Sequence, residues 1–188
     1  SFNAIRYLLK TGCQWRMLPQ EFPAWQTVRS YFDQWTADGT LIPINDALRR
    51  QVRQAADRDA EPTAGSLDSQ STTTTESGGD RGYDGGEKVT GRTRHIAVDT
   101  QGNLLAVVVH AANISDRDGA WDVLDRLTRR CPTIVKLWVD GGYLGLQSTI
   151  EAAYGVTLEV VSKLPNQHTF VVLPRRWVVE RTFAWRGR

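Results

Sequence analysis

Apolar residues recur every three or four positions at Phe2, Ile5, Leu8 and Leu9, again at Trp25, Val28, Phe32 and Trp35, and again at Ile44, Leu48, Val52 and Ala55. That is the spacing of one buried helical face. The interruptions are explicit: Gly12 after the first run, Pro19 and Pro23 before the second, Asp38-Gly39 before the third. The pattern predicts three short helices over residues 1–57. A tight break between the first two makes the layout helix-turn-helix-like, which can dock on DNA, and it is equally the layout of any small helical bundle. Residues 58–65 are polar and contain Pro62 and Gly65, so they are expected to be a linker to a second domain over 66–188.

Beyond the linker the period shortens. A short strand is expected around Ser66–Gln70, with Asp68 at or near its end, and Ser77–Gly86 reads as a glycine-rich polar loop without phosphate-loop spacing. Arg94–Val98 and Leu104–His110 form a hairpin pattern across Asp99–Asn103, a strong turn signal. A helix follows over Asp116–Arg130, capped by Ser115 or Asp116, with Trp121, Leu124 and Leu127 as its buried stripe and Pro132 closing it. The apolar run Ile134–Val139 ends abruptly on Asp140-Gly141-Gly142, a buried strand delivering one carboxylate to its C-terminal edge. Leu146–Tyr154 reads as a helix stopped at Gly155, Val156–Val161 as a strand, Pro165–His168 as a loop, and Pro174 or Arg175 to about Trp185 as a last helix. This order predicts an α/β fold with a mixed sheet flanked by helices. The ribonuclease H-like arrangement has that order, and other mixed α/β folds share parts of it.

Composition narrows the class. The 188 residues are 40% hydrophobic and 23% charged, enough for one full domain and a small extra one. No run of about 18 apolar residues is present, so no membrane span is expected. The chain begins without Met or a signal-peptide core, as if within a helix, and is expected to be a piece cut at both ends. Cys13 and Cys131 are far apart and outside metal-ligand spacing, which suits free thiols in a reducing cytosol. The net charge of +2 is too small to argue for nucleic acid. Local clusters (Arg49, Arg50, Arg53, Arg58; Arg81, Lys88, Arg92, Arg94; Arg175, Arg176, Arg181, Arg186, Arg188) would suit a polyanion, or are solvated helix faces.

The chemistry turns on which carboxylates meet Asp140. If the first strand runs parallel to the Asp140 strand, Asp68 lies at the same end of the sheet. The hairpin reverses direction, so Asp99 is a turn residue at the other end. Asp116 and Asp118 start a helix, where the macrodipole accounts for acid. Glu159 lies in a strand on its solvent side. Glu180 sits between Arg176, Trp177, Phe183 and Ala184 at helical spacing, either paired with Arg176 or aimed at Asp68 and Asp140. Three clustered carboxylates repel unless a divalent cation joins them. All-oxygen donors favour Mg²⁺ or Mn²⁺, and two ions about 3.5–4 Å apart suit phosphodiester chemistry. Asp68 would then bridge both ions, Asp140 hold one and Glu180 the other. A Ser-His-Asp triad has little support, with three His in the chain and no nucleophile-elbow serine.

With these residues in place, the chain resembles the bacterial insertion-sequence transposases of the IS-four/IS-five superfamily, which use an Asp-Asp-Glu triad on a ribonuclease H-like fold. The resemblance is carried by Thr11–Arg16, Leu67–Ser71, Gly78–Gly86, Gly91–Asp99, His110–Gly119, Val139–Tyr143 and Leu173–Trp185. It implies that Asp68, Asp140 and Glu180 are catalytic metal ligands and that residues 1–57 belong to a helical DNA-binding segment. It also implies metal-dependent strand cleavage and strand transfer on double-stranded DNA by a homo-oligomer in the bacterial cytoplasm, associated with the nucleoid. Lys88, Arg92, Arg94, Arg176 and Arg181 are the candidate phosphate contacts, and His110 could orient water or DNA or be a structural histidine. The chain departs from the family pattern at Leu173, where a Tyr is common, and near Gly187, where a Lys is expected. A catalytically inactive remnant that only binds DNA, or another ribonuclease H-like nuclease, are the alternatives.

Overall fold

The computed structural model describes residues 1–74, 79–161 and 177–186. The chain divides into two compact units, one over Ser1–Leu48 and one from Arg49 onward. The first contains α1 (Phe2–Thr11), a 3-10 turn at Trp15–Met17, α2 (Trp25–Ala37) and the start of α3 (Leu41–Ala55). Gly12 ends α1 in the left-handed conformation at φ 65°, its N–H returning to Leu8 O, as a glycine stop does. Ala4, Ile5 and Val28 are buried here, with Trp15, Leu18, Phe22, Phe32 and Trp35 packed around them. Large rings make up for the small number of fully buried side chains.

In the second unit the chain continues through β1 (Ala64–Thr73), β2 (Gly82–Asp84), β3 (Val89–Asp99), β4 (Leu104–Ala111), α4 (Asp116–Arg130), β5 (Lys136–Val139), α5 (Gln147–Tyr154), β6 (Thr157–Val160) and α6 (Trp177–Arg186). The expected mixed sheet flanked by helices is present. β1, β5 and β6 run parallel, and β3 is antiparallel to both β1 and β4. β2 pairs with the first residues of β3, in line with β4. One strand is longer than the sequence suggests, and another falls where it suggests a loop. β1 is rich in Ser, Thr and Gly, yet pairing with β3 from Gly65↔Asp99 to Thr73↔Gly91 carries it through Asp68. Gly82–Asp84, read as loop from its composition, is a strand because β3 offers it a free edge.

The two faces of the sheet carry different helices. Leu67, Ala97, Leu137 and Val139 join the α4 residues Ala120, Val123, Leu124 and Leu127 in the main core. Ile96 and Val98, one position along β3 from Ala97, pack with Val178, Val179 and Phe183 of α6. Alternation along a strand therefore assigns Asp68, Arg92 and Arg94 to the α6 face and Ser69 and His95 to the α4 face.

The end of α3 is anchored in this unit. Arg49, buried, donates to Cys131 Sγ at 3.3 Å and Glu61 Oε2 at 3.1 Å, and Arg50 pairs with Glu61. Arg53 pairs with Asp99. Arg49 and Arg53 of the first basic cluster are therefore buried in internal ion pairs, while Arg50 pairs with Glu61 at the surface. Residues 58–65, expected as linker, supply Glu61 and the first two residues of β1.

Candidate active site

The parallel pairing of β1 with β5 runs Ala64↔Lys136, Gly65↔Leu137, Ser66↔Trp138. Asp68 and Asp140 each come two residues after the last of these pairs, Asp68 still within β1 and Asp140 just past the end of β5. Asp68 is buried and lies within β1, past the end of its parallel partner; its Oδ1 accepts from the Ser69 N–H at 2.9 Å. Asp140 directly follows β5 and caps the 3-10 turn Gly141–Tyr143, its Oδ1 accepting from Gly142 N at 2.8 Å. The turn role and a position at the strand edge coexist, because one carboxylate oxygen suffices for the cap.

Glu180 is exposed on α6. Val178 and Thr182 of that helix hold the β3–β4 turn: Thr182 Oγ1 donates to Gly102 O at 3.2 Å, and Val178 crowds Gly102. Glu180 is two residues from each, about 200° of helical rotation, so it leaves the opposite side of α6. Among the described residues no group of three or more His, Cys, Asp or Glu is gathered to hold a metal ion. Two oxygen donors at one edge nevertheless fit Mg²⁺, which keeps several waters and binds through one or two carboxylates plus substrate phosphates.

Two further residues lie near this edge, one of them set aside in the sequence as a helix-start acid. Asp116, at the start of α4, accepts a hydrogen bond from Ser69 Oγ on Oδ1. A methyl group placed on Gly142 would meet Asp140 Oδ1 at 3.0 Å and Asp116 Oδ2 at 3.2 Å. The helix N-terminus explains an acid at Asp116, but Asp118 is the residue engaged with the Ser115 cap. The second is Tyr143, fully buried in the main core. Burial raises its phenol well above the ordinary value, and the charges of Asp116, Asp68 and Asp140 raise it further, while a side-chain hydrogen bond with Ser69 acts the other way. No signal in the sequence separates Tyr143 from a packing aromatic.

His110 Nε2 is 2.8 Å from Asp122 Oδ2 on α4, and its ring meets the His95 ring edge-on at 5.1 Å between centroids. His95 is fully buried against Gly119, where an added methyl group would lie 2.4 Å from the ring. Burial pushes the His95 imidazole below its ordinary pKa; Asp116 acts the other way and His110 adds to the fall.

The candidate phosphate contacts are dispersed. Lys88 is exposed at φ 58°. Arg92 Nε donates to Asp80 O at 3.0 Å, and Arg94 Nη2 to Gln70 Oε1 at 2.7 Å, with the Arg94 guanidinium over Phe183. Arg181 donates to Gln101 O at 2.7 Å and stacks on Trp177, at the hairpin-turn end. Arg176, like the loop Pro165–His168, lies outside the described residues. No helix among the described residues is long and apolar enough to cross a membrane.

Residues 59–188 match the family model described as the transposase DDE domain. Residues 1–45 match a second, described as a putative transposase of the IS4/5 family. No curated protein sequence matches the chain.

Proposed function

This chain belongs to the transposase DDE domain family, and we propose that it cleaves the ends of an insertion sequence and transfers the freed strands to target DNA. The observation that supports the proposal is the parallel β1–β5 register, whose last pair, Ser66↔Trp138, precedes Asp68 and Asp140 by two residues on each strand's path. Asp68, Asp140 and Glu180 are the catalytic residues of this reading, and they would hold one or two Mg²⁺ or Mn²⁺ ions. A divalent ion bound there lowers the pKa of water and stabilises the leaving oxygen of a phosphodiester.

The protein's part is to position. Asp68 is fixed by its strand and Asp140 by its cap, so neither must be reoriented as DNA arrives. The proposed reaction is hydrolysis at the element end, freeing a 3′-hydroxyl, followed by in-line attack of that hydroxyl on a target phosphodiester. Double-stranded DNA is gripped by Lys88, Arg92, Arg94, Arg176 and Arg181, and the helices of residues 1–57 form the DNA-binding domain. Arg92 and Arg94 lie on the same sheet face as Asp68, which supports a backbone track leading to the acids. The active species is a homo-oligomer on DNA at the bacterial nucleoid.

The test is cleavage and joining of element-end DNA with Mg²⁺. Asp68→Asn, Asp140→Asn and Glu180→Gln should each abolish both reactions while DNA binding persists. Cleavage retained in one variant removes that residue from the triad. Clean hydrolysis without joining would make the chain a nuclease, and binding without either reaction a DNA-binding remnant.

A further inference from the structure

Asp116 is held in a way that its place at the start of a helix does not explain. The macrodipole accounts for an acid there, and Asp118 of the same turn fits that account: it is exposed and engaged with the Ser115 cap. Asp116 is half-buried instead, and both its oxygens face other elements. Oδ1 accepts from Ser69 Oγ, and Ser69 gives its own N–H to Asp68 Oδ1 at 2.9 Å. Oδ2 stands against Gly142, where a methyl group would lie 3.2 Å from it and 3.0 Å from Asp140 Oδ1. Gly142 gives its N–H to Asp140 Oδ1 at 2.8 Å. Each oxygen of Asp116 is thus set on one of the two residues whose N–H groups fix Asp68 and Asp140. An asparagine would accept the Ser69 hydrogen bond as well. It would also spare the repulsion of a further carboxylate beside two others. The hydrogen bond therefore does not call for an acid at this position; the charge needs another reason.

We propose that Asp116 is a positioning residue for the divalent cation of Asp68 and Asp140: its charge adds to theirs in drawing the cation to this edge, and its contact with Ser69 keeps that charge beside them. The inference rests on Asp68 and Asp140 being the ligands of that cation. Among the described residues no group of three acids is gathered to hold an ion, so Asp116 is not assigned as a third ligand. It acts from behind the ligands, and groups in that position alter metal affinity by about 10–100-fold when removed.

The experiment is titration calorimetry of the full chain with Mn²⁺ alone. Asp116→Asn keeps the acceptor for Ser69 and loses the charge, so it should bind Mn²⁺ about 10-fold or more weakly than the wild type. Asp118→Asn removes an acid from the same helix turn and should bind as the wild type does. Wild-type affinity in Asp116→Asn overturns the proposal. So does equal weakening in the two variants, which is the general effect of one charge fewer. Ser69→Ala keeps the charge but releases it from β1, and it should also weaken Mn²⁺ binding. In the Asp116→Asn background the same change should add no further loss, because residues acting through one another are not additive. Full additivity would make the two residues independent and overturn the proposal. Asp140→Asn should lose Mn²⁺ binding; if it binds as wild type does, or if the wild type does not bind, the ligand assignment fails and takes this inference with it.

Discussion

Arg53 and Asp99 form an ion pair of 2.7 Å in which the side chains are 7% and 0% exposed. Asp99 also accepts from Gln101 N, Asn103 N and Asn103 Nδ2, so its carboxylate organises the β3–β4 turn and fastens the end of α3 to it. Arg53 Nε donates to Asp59 O at 2.7 Å as well, and hydrogen bonds to both partners are the condition under which a buried charge pair is tolerated. Removing one partner leaves the other charge buried and alone.

Asp99→Ala should therefore destabilise the protein by about 3–5 kcal/mol, seen as a fall of roughly 10 °C in the unfolding midpoint of a domain this size. Thermal denaturation followed by circular dichroism measures it. A fall of only a degree or two would mean that Arg53 finds another acceptor.

His95 makes stability sensitive to acid. Its folded pKa lies below the ordinary value because burial disfavours the imidazolium. Above about pH 6.5 both the folded and the unfolded chain carry neutral imidazole, and the residue adds no pH dependence. Below it the unfolded chain takes up a proton that the folded chain resists, so stability falls as pH is lowered from there toward the folded pKa. Unfolding midpoints between pH 7 and 5 should drop in the wild type, and His95→Leu should flatten that part of the curve. An unchanged slope in the variant would assign the acid sensitivity elsewhere.

How far the sequence carries the fold differs from residue to residue. Asp140 was readable because an apolar run stops on Asp-Gly-Gly, and a strand end followed by a tight turn leaves few other structures. The turn role of Asp99 was readable for the same local reason, but its partner is 46 positions away, and no local pattern announces it. β2 was hidden because Gly82 and Asp84, which disfavour strands, flank its one strand-favouring residue, Tyr83; the edge of β3 makes them a strand. Asp116 was hidden by a sufficient alternative, since acids belong at helix starts. Tyr143 was hidden because only the packed structure shows a core ring under the influence of three carboxylates.

The phosphate contacts give a quantitative test that does not depend on catalysis. Arg92 and Arg94 alternate with His95 and Thr93 along β3 and so lie with Asp68 on the α6 face. Each phosphate neutralised by a protein cation contributes about −0.9 to the slope of log K against log salt concentration on duplex DNA. Arg92→Ala and Arg94→Ala should each weaken binding to element-end and unrelated duplexes alike, and reduce the slope by about 0.9. Arg94 also stacks on Phe183, so Arg94→Lys, which keeps the charge but not the planar contact, separates the two effects. The slope should return while the unfolding midpoint stays lowered. Fluorescence anisotropy across a salt series measures the slope; an unaltered slope in both alanine variants would remove this face of the sheet from the DNA path.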